Sequence, residues 1–194
     1  MWEQILPGLR IKIFMTILLG VIYPLAITGI CQVIFPHQAN GSLIVAADHV
    51  VGSELIGQNF TRPEYFQPRP SIAGNDGYDA ANSGASNYGP TNQKLIDRVK
   101  ASVEKFRKEN PDFQGPIPAD LLTSSASGLD PHLSPDSAMA QAARVAKARG
   151  VPTGQVQRLI VQFTEGPDLG VLGEPRVNVL KLNRAIDGHF AVKR

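Results

Sequence analysis

The chain has 194 residues, and its 19 lysines and arginines nearly balance its 17 acidic residues, which leaves a formal net charge of +2. No run of basic residues is interleaved with aromatic ones, so nucleic acid is not expected as a partner. The only cysteine, Cys31, lies within an apolar segment, which excludes a disulfide framework within the chain.

Residues 13–35 read IFMTILLGVIYPLAITGICQVIF and contain no charged side chain. A helix needs about 20 predominantly apolar residues to cross the ~30 Å hydrocarbon layer of a bilayer, so this segment predicts one transmembrane helix. Arg10 and Lys12 precede it, and no lysine or arginine follows before Arg62. The positive-inside rule therefore places the N-terminus in the cytoplasm and the rest of the chain outside the membrane.

This assignment divides the chain into a cytoplasmic tail (residues 1–12), the transmembrane helix (residues 13–35) and one extracytoplasmic domain (residues 36–194). The domain would contain roughly 155 residues, an ordinary size for a single core. A cleaved signal peptide is the alternative interpretation. Its apolar region is typically only about 7–15 residues long and ends in small residues, whereas this run ends in Cys-Gln-Val-Ile-Phe-Pro.

Small and polar residues recur at every fourth position of the predicted transmembrane helix: Thr16, Gly20, Pro24, Thr28 and Gln32. Such a stripe lets a second helix approach closely, and the amide of Gln32 can donate a hydrogen bond across the contact. Pro24 leaves the carbonyl of Gly20 without its usual N–H donor and should bend the helix. Glycine, proline and threonine are also common in membrane helices without a specific partner, which is the alternative.

Two short β-rich segments, residues 42–47 and 50–56, follow the span and predict a hairpin that turns at Asp48-His49. Residues 60–91 then carry many prolines and glycines and no periodicity. A structureless loop of this length is either functional or disordered, and its aromatic residues favour an ordered, docked loop.

Three helices are predicted in the remainder of the chain. Apolar residues from Leu95 to Phe106 repeat at helical spacing after a cap at Thr91 or Asn92. Ser134-Pro135-Asp136 is a strong helix start, and the alanine-rich helix that follows should end at Gly150. The third helix begins at Pro152-Thr153, and Val156, Leu159, Ile160 and Phe163 form its apolar stripe, so that the last two helices form a hairpin.

Strands are predicted at residues 120–123 and at residues 176–182, where apolar residues on both faces suggest a strand that is covered on both sides. The fold class is therefore α+β, with one N-terminal transmembrane helix, one mixed extracytoplasmic domain and a long, ordered loop rich in proline, glycine and asparagine.

Catalytic chemistry is weakly represented. Ser125, Ser127, Asp130 and His132 include the residue types of a catalytic triad, but they lie in a Ser/Gly/Pro-rich turn, where turn chemistry explains them more simply. The four histidines lack metal-ligand spacing, and no phosphate-binding glycine motif occurs. These observations favour a non-catalytic accessory subunit of a membrane complex. The alternative is a membrane-anchored extracytoplasmic hydrolase or binding module that uses the long loop as its site.

Several motifs are similar to those of one known family: Tyr23-Pro24-Leu25, QANGSLI at 38–44, GSELIGQNF at 52–60, Tyr65-Phe66 with Arg69-Pro70-Ser71, SGASN at 83–87, TSSASGLD at 123–130, RVAKAR at 144–149, Val177-Asn178-Val179 and Leu182-Asn183. With these motifs in order along nearly the whole chain, the sequence resembles the C subunits of the bacterial Kdp potassium-transporting ATPase. One departure from the family pattern is the turn at Asp48-His49, where a glycine-containing turn is usual, and it affects only the geometry of the hairpin.

The resemblance implies a non-catalytic subunit of an ATP-driven, high-affinity potassium uptake complex. Its partners would be a channel-like potassium-translocating subunit and a P-type ATPase subunit, in addition to membrane lipid. It would span the bacterial inner membrane once, with its main domain in the periplasm. One suggested role for such subunits is to stabilise assembly and guard the ion entrance.

The other suggested role is that of a catalytic chaperone, which raises the affinity of the pump subunit for ATP. No cofactor would be bound stably, but ATP could be held in a ternary complex with the pump subunit, and Gln58 matches the glutamine proposed to contact it. The topology argument opposes direct contact, because it places ATP across the bilayer from Gln58.

The topology favours docking of the extracytoplasmic loops on the outer face of the channel-like subunit. The candidate contact residues are Phe60, Tyr65, Phe66, Asn82, Ser83, Ser86, Asn87, Ser127 and Asp130. The alternative is that these loops pack on their own domain and complete its core.

Overall fold

The computed structural model of the protein describes residues 2–46 and 48–190. The chain divides into two compact units, Met1–Val51 and Gly52–Arg194. The first contains a long N-terminal helix, and the second is a mixed domain of helices and short antiparallel strands. The predicted α+β class and the predicted N-terminal helix are therefore confirmed.

The N-terminal helix runs through α1 (Trp2–Ile17), a π-helical turn (Leu18–Ile22) and α2 (Tyr23–Ile34). Within its segment Glu3–Ile34, an 18-residue window reaches a mean hydropathy of 2.2, and the segment is long and apolar enough to cross a membrane. The helix begins earlier than expected, since most of the predicted tail is already helical. The π turn directly precedes Pro24, where the N–H of Tyr23 donates to the carbonyl of Leu18. The missing N–H of proline thus coincides with a local widening of the helix.

A short helix, α3 (Pro36–Ala39), follows the long helix and leads into a hairpin of β1 (Leu43–Ala46) and β2 (His49–Ser53). The hairpin prediction is confirmed, although β2 ends three residues earlier than predicted. Asp48 adopts a left-handed φ of 63° at the turn, a conformation that aspartate tolerates better than most residues. Ala47, predicted to end the first strand, lies outside the described residues.

Residues 57–91 contain one turn of 3₁₀ helix, Ala80–Asn82, and are otherwise irregular. α4 (Gln93–Glu109) follows, and the side chain of its N-cap, Asn92, accepts a hydrogen bond from the N–H of Lys94. The short strand predicted at residues 120–123 is wrong. A 3₁₀ turn, Ala119–Leu121, stands there instead, because a single turn is enough to bury Leu121 in the core.

The capping signals predicted the next two helices correctly. The hydroxyl of Ser134 accepts from the N–H of Ser137 at the start of α5 (Pro135–Arg149), and Gly150 ends the helix with a φ of 67°. α6 (Thr153–Gln162) packs back against α5 as the predicted helical hairpin.

Three short strands, β3 (His132–Leu133), β4 (Thr164–Glu165) and β5 (Arg176–Asn178), form an antiparallel sheet in the order β3-β5-β4. In this sheet, Val177 pairs with Leu133 on one side and with Thr164 on the other. Helices α5, α6 and α7 (Val179–His189) build the core with β5.

The strand predicted over residues 176–182 is wrong beyond Asn178. The side chain of Asn178 accepts a hydrogen bond from the N–H of Lys181 and caps α7, which begins at Val179. Val179, Leu182 and Ile186 are buried at helical spacing, so the apolar residues that suggested a doubly covered strand mark a helix face.

Candidate functional site

The long loop is attached to the domain by side chains rather than by strand pairing. Phe66 is fully buried, and its N–H donates to Asn183 Oδ1 at 2.8 Å while Asn183 Nδ2 donates to its carbonyl at 2.9 Å. Gln67 is bound in the same way, because its N–H donates to Gln141 Oε1 at 2.9 Å and Gln141 Nε2 donates to its carbonyl at 3.0 Å. Two amide side chains, one on α7 and one on α5, thus take the place of a neighbouring strand.

Arg144 on α5 fixes the residues just before this point. Its Nη1 donates to the carbonyls of Pro63 and Tyr65 at 2.6 and 2.9 Å, and its Nε donates to Asn110 Oδ1 at 3.0 Å. Its Nη2 donates to Gln141 Oε1 at 2.6 Å. Burial lowers the pKa of Arg144 to about 10, with the charge of Glu109 opposing the shift. All four acceptors of the guanidinium are uncharged carbonyl or amide oxygens, so Arg144 holds the loop without an ion pair.

Arg149, one helical turn beyond Arg144, contacts the loop and α7 together. Its Nε donates to the carbonyl of Glu64 at 3.0 Å, and its Nη2 donates to Asp187 Oδ1 at 2.7 Å. The guanidinium also lies over the ring of Tyr65, 4.8 Å from the ring centre. The hydroxyl of Tyr65 donates to Asp187 Oδ2 at 3.0 Å, which closes the network.

The second half of the loop rests on the turn formed by residues 125–130. The hydroxyl of Ser71 donates to the carbonyl of Gly128 at 2.6 Å and accepts from the N–H groups of Ala73 and Tyr78. Arg69 Nη1 lies 2.9 Å from Asp130 Oδ2.

Tyr78 and Asp130 titrate outside their ordinary ranges in this setting. The hydroxyl of Tyr78 donates to the carbonyl of Arg69 at 2.8 Å, and burial together with the charge of Asp130 raises the pKa of Tyr78. Burial alone would raise the pKa of Asp130, but hydrogen bonds from His132 and the charge of Arg69 outweigh it and hold that pKa below its usual value. The hydrogen bond from Ser71 to Gly128 and the ion pair between Arg69 and Asp130 thus join the loop to the turn.

The polar residues of the turn formed by residues 125–130 accept hydrogen bonds from nearby backbone N–H groups. Ser125 Oγ accepts from the N–H of Gly128, Ser127 Oγ accepts from the N–H of Leu129, and Asp130 Oδ1 accepts from the N–H of His132. These are the local bonds typical of Ser- and Asp-initiated turns, as the sequence interpretation favoured.

An exposed polar surface is formed where the loop meets the turn. The hydroxyl of Ser83 donates to the carbonyl of Ser127 at 2.9 Å, and the N–H of Gly84 donates to the same carbonyl. Arg98 Nη2 donates to Ser86 Oγ at 3.2 Å and links this surface to α4. We define the polar loop surface as five candidate contact residues, all of which are at least partly exposed: Asn82, Ser83, Ser86, Asn87 and Ser127.

The other candidate contact residues lie apart from that surface or beneath it. Phe66 belongs to the core and offers no side-chain surface to a partner. Phe60 and Tyr65 are half-buried, with their ring centres 5.7 Å apart, and Asp130 is half-buried in its ion pair with Arg69. For Phe66 the structure thus favours the alternative interpretation, in which the loop completes the domain's own core.

Gln58 is half-buried and packs over the backbone of Gly52. A Cβ at Gly52 would overlap the Gln58 amide and would also lie 3.0 Å from Leu180 Cδ2. The nucleotide-related role of Gln58 stays a prediction. Among the described residues, no group of three or more His, Cys, Asp or Glu side chains could hold a metal ion.

All five residues of the helix stripe are exposed within the N-terminal unit. The amide of Gln32 exchanges two hydrogen bonds with the amide of Asn40, at 3.2 and 3.4 Å. A four-residue spacing advances slightly beyond one α-helical turn but falls short of one π-helical turn. The π turn at Leu18–Ile22 therefore reduces the drift of the stripe around the helix axis.

Sequence reasoning missed two features of the domain. One is the set of buried polar side chains that hold the loop, which lie among the apolar residues of α5 and α7. The other is an exposed apolar tip between β4 and β5, formed by Leu169, Val171 and Leu172. The signal for the tip was available, since three aliphatic residues stand within a turn rich in glycine and proline.

Comparisons with known proteins agree with the family resemblance. The family model for KdpC, the c chain of the K+-transporting ATPase, matches residues 5–188. The potassium-transporting ATPase KdpC subunit of Myxococcus xanthus is 55% identical over 191 residues, which cover 98% of this chain and 90% of the relative. The KdpC subunit of Rhodospirillum rubrum is 54% identical over 190 residues, which cover 98% of each chain. The KdpC subunit of Koribacter versatilis is 52% identical over 189 residues, which cover 97% of this chain and 96% of the relative. The chain therefore belongs to the KdpC family of K+-transporting ATPase subunits.

Proposed function

We propose that this chain is a non-catalytic accessory subunit of an ATP-driven potassium uptake complex, in which it stabilises the assembly of the channel-like and ATP-hydrolysing subunits. The observation that carries the proposal is the family match, which runs through both the N-terminal helix and the domain. The match covers most of the N-terminal helix and nearly the whole domain, which supports a role for both parts in the complex.

The anchor packs in the bilayer against helices of the partner subunits through Thr16, Gly20, Pro24, Thr28 and Gln32. Small side chains in this stripe allow close contact between backbones, which is the main source of helix association in lipid. Arg10 and Lys12 stay in the cytoplasm, so the domain lies on the periplasmic side of the inner membrane.

The domain docks on the outer face of the channel-like subunit through the polar loop surface. This surface is supported by hydrogen bonds between the loop and the turn, so that little conformational entropy is lost when a partner covers it. In that position it flanks the ion entrance. Any effect on the ATP affinity of the pump subunit, including one that involves Gln58, is then indirect. It arises from a coupling free energy between docking of the domain on one side of the membrane and ATP binding on the other.

Co-purification through a tagged copy of the full chain tests this function. We expect the other subunits of the potassium pump to be recovered with the tagged chain in mild detergent. Recovery of the tagged chain alone from cells that produce every subunit would contradict the proposal.

A charged substitution on the polar loop surface tests the docking face. Ser83→Arg should reduce recovery of the channel-like subunit several-fold, since a desolvated charge without a partner opposes association. Asn75→Arg is the matched control, because Asn75 is an exposed loop residue outside this surface. Equal recovery with both variants, each with an unchanged unfolding midpoint, would rule out this face.

A further inference from the structure

The segment between β4 and β5 presents aliphatic side chains to solvent on a well-formed turn. The exposed fractions of Leu169, Val171 and Leu172 are 90%, 80% and 57%. The N–H of Asp168 donates to the carbonyl of Leu172 at 2.8 Å, and the N–H of Leu172 donates to the carbonyl of Asp168 at 2.9 Å. The apolar tip, defined as these three aliphatic residues, is therefore held in place by its own backbone.

The backbone of the tip is strained at a position where a polar residue would serve better. Leu169 has a left-handed φ of 54°, a conformation that costs free energy for leucine but suits glycine or asparagine. Asp168 Oδ1 accepts from Arg176 Nη2 at 2.9 Å, which fixes the base of the turn. A leucine that is both strained and exposed contributes little to the fold, which is typical of a residue that binds a partner.

The charges around the tip argue against a lipid surface. Residues 164–176 contain an acidic rim of Glu165, Asp168 and Glu174 and one arginine, Arg176, which gives a net charge of −2. Arg176 lies 2.9 Å from Asp168 and 3.5 Å from Glu165, so Glu174 is the carboxylate that these ion pairs do not engage. No lysine, tryptophan or tyrosine occurs there, although these residues are typical of loops that enter the membrane interface. Anionic headgroups would repel the acidic rim.

The same charges argue against a second copy of this chain. A two-fold symmetric contact places the same patch on both sides, so the acidic residues of one tip would face those of the other. Like charges brought together at an interface oppose association. The acidic rim instead fits an apolar pocket that is bordered by lysine or arginine side chains.

We propose that the apolar tip formed by Leu169, Val171 and Leu172 inserts into an apolar pocket with a basic rim on another subunit of the transport complex. This inference rests on the proposed function and adds a second contact, separate from the polar loop surface. The pocket desolvates the three aliphatic side chains, and its basic rim pairs with Glu174, since Glu165 already lies 3.5 Å from Arg176 Nε and 3.6 Å from Lys181 Nζ.

Thiol protection tests the insertion. Cys31 is the only cysteine, so a Leu169→Cys substitution in a Cys31→Ser background provides one reactive group at the tip. A water-soluble maleimide should modify it rapidly in the full chain reconstituted alone in lipid vesicles, at any protein density, and at least tenfold more slowly in the co-purified complex. The matched control is Val161→Cys, an exposed position on α6 that should react equally in both samples.

Each other outcome overturns the inference. Slow modification in vesicles without partners would assign the tip to lipid, and modification that slows with protein density would assign it to a second copy. If Leu169→Cys reacts at the same rate in the complex as in vesicles, or if Val161→Cys slows as much as it does, the tip does not insert into a pocket. Co-purification is measured on the same samples, so a complex that forms while the tip stays reactive refutes only this inference. Absence of any complex refutes the proposed function.

Discussion

Two buried amide side chains perform a task that a β-strand usually performs. Asn183 and Gln141 each donate to the carbonyl and accept from the N–H of one loop residue, Phe66 and Gln67 respectively. Buried backbone groups must find partners, and an irregular loop has none of its own. These side chains therefore allow a proline-rich segment to enter the core without secondary structure.

Asn183→Ala should destabilise the domain by about 2–4 kcal/mol, because it leaves a buried N–H and a buried carbonyl of Phe66 unpaired. Denaturant unfolding of the full chain in mild detergent measures the change. Asn75→Ala is the control, since this exposed residue should change the unfolding free energy by no more than about 0.5 kcal/mol. Similar losses for both variants would mean that the amide of Asn183 does not hold the loop.

The elements that the sequence predicted well are those with local signals. Asn92, Ser134 and Gly150 mark helix ends through bonds to residues within four positions, so their roles follow from the sequence alone. The switch from strand to helix at Asn178 was missed because Val177 and Val179 fit either element, and only the cap separates them.

The candidate surface was predictable only in part. Its exposed serines and asparagines were identified from the sequence, but the bonds that place Ser83 beside Ser127 span 44 residues. The bonds that bury Phe66 span 117 residues, so no local pattern distinguishes this core residue from its exposed neighbours. An aromatic residue in a loop was therefore interpreted as a contact residue when it belongs to the core.

The turn that supports the loop depends on Gly128, which has a φ of +69°. A Cβ at this position would lie 3.0 Å from Ala73 Cβ and 3.1 Å from the carbonyl oxygen of Gly84. Gly128→Ala should therefore destabilise the domain by about 2–4 kcal/mol, which combines the left-handed backbone cost with overpacking.

Gly150 provides the matched control for that substitution. Its φ of +67° is nearly the same, but a Cβ added there would meet no atom within 4 Å beyond its own chain neighbours. Gly150→Ala should therefore show only the backbone cost, about 1–2 kcal/mol, in the same denaturant unfolding measurement. Equal unfolding free energies for the two variants would contradict a tight contact between the turn and the loop.

At the scale of the whole molecule, one uncharged segment, residues 13–35, determines which compartment we expect the domain to occupy. Arg10 and Lys12 precede the uncharged segment and Arg62 is the first basic residue after it, so we expect a cytoplasmic N-terminus and a periplasmic domain. In a Cys31→Ser background, a membrane-impermeant thiol reagent should label a Gln157→Cys variant in intact spheroplasts, because Gln157 is exposed on α6. A Glu3→Cys variant should react only after the membrane is permeabilised. The reverse pattern would place the domain in the cytoplasm, where the pump subunit binds ATP, and would make direct nucleotide contact at Gln58 the better explanation of any effect on ATP affinity.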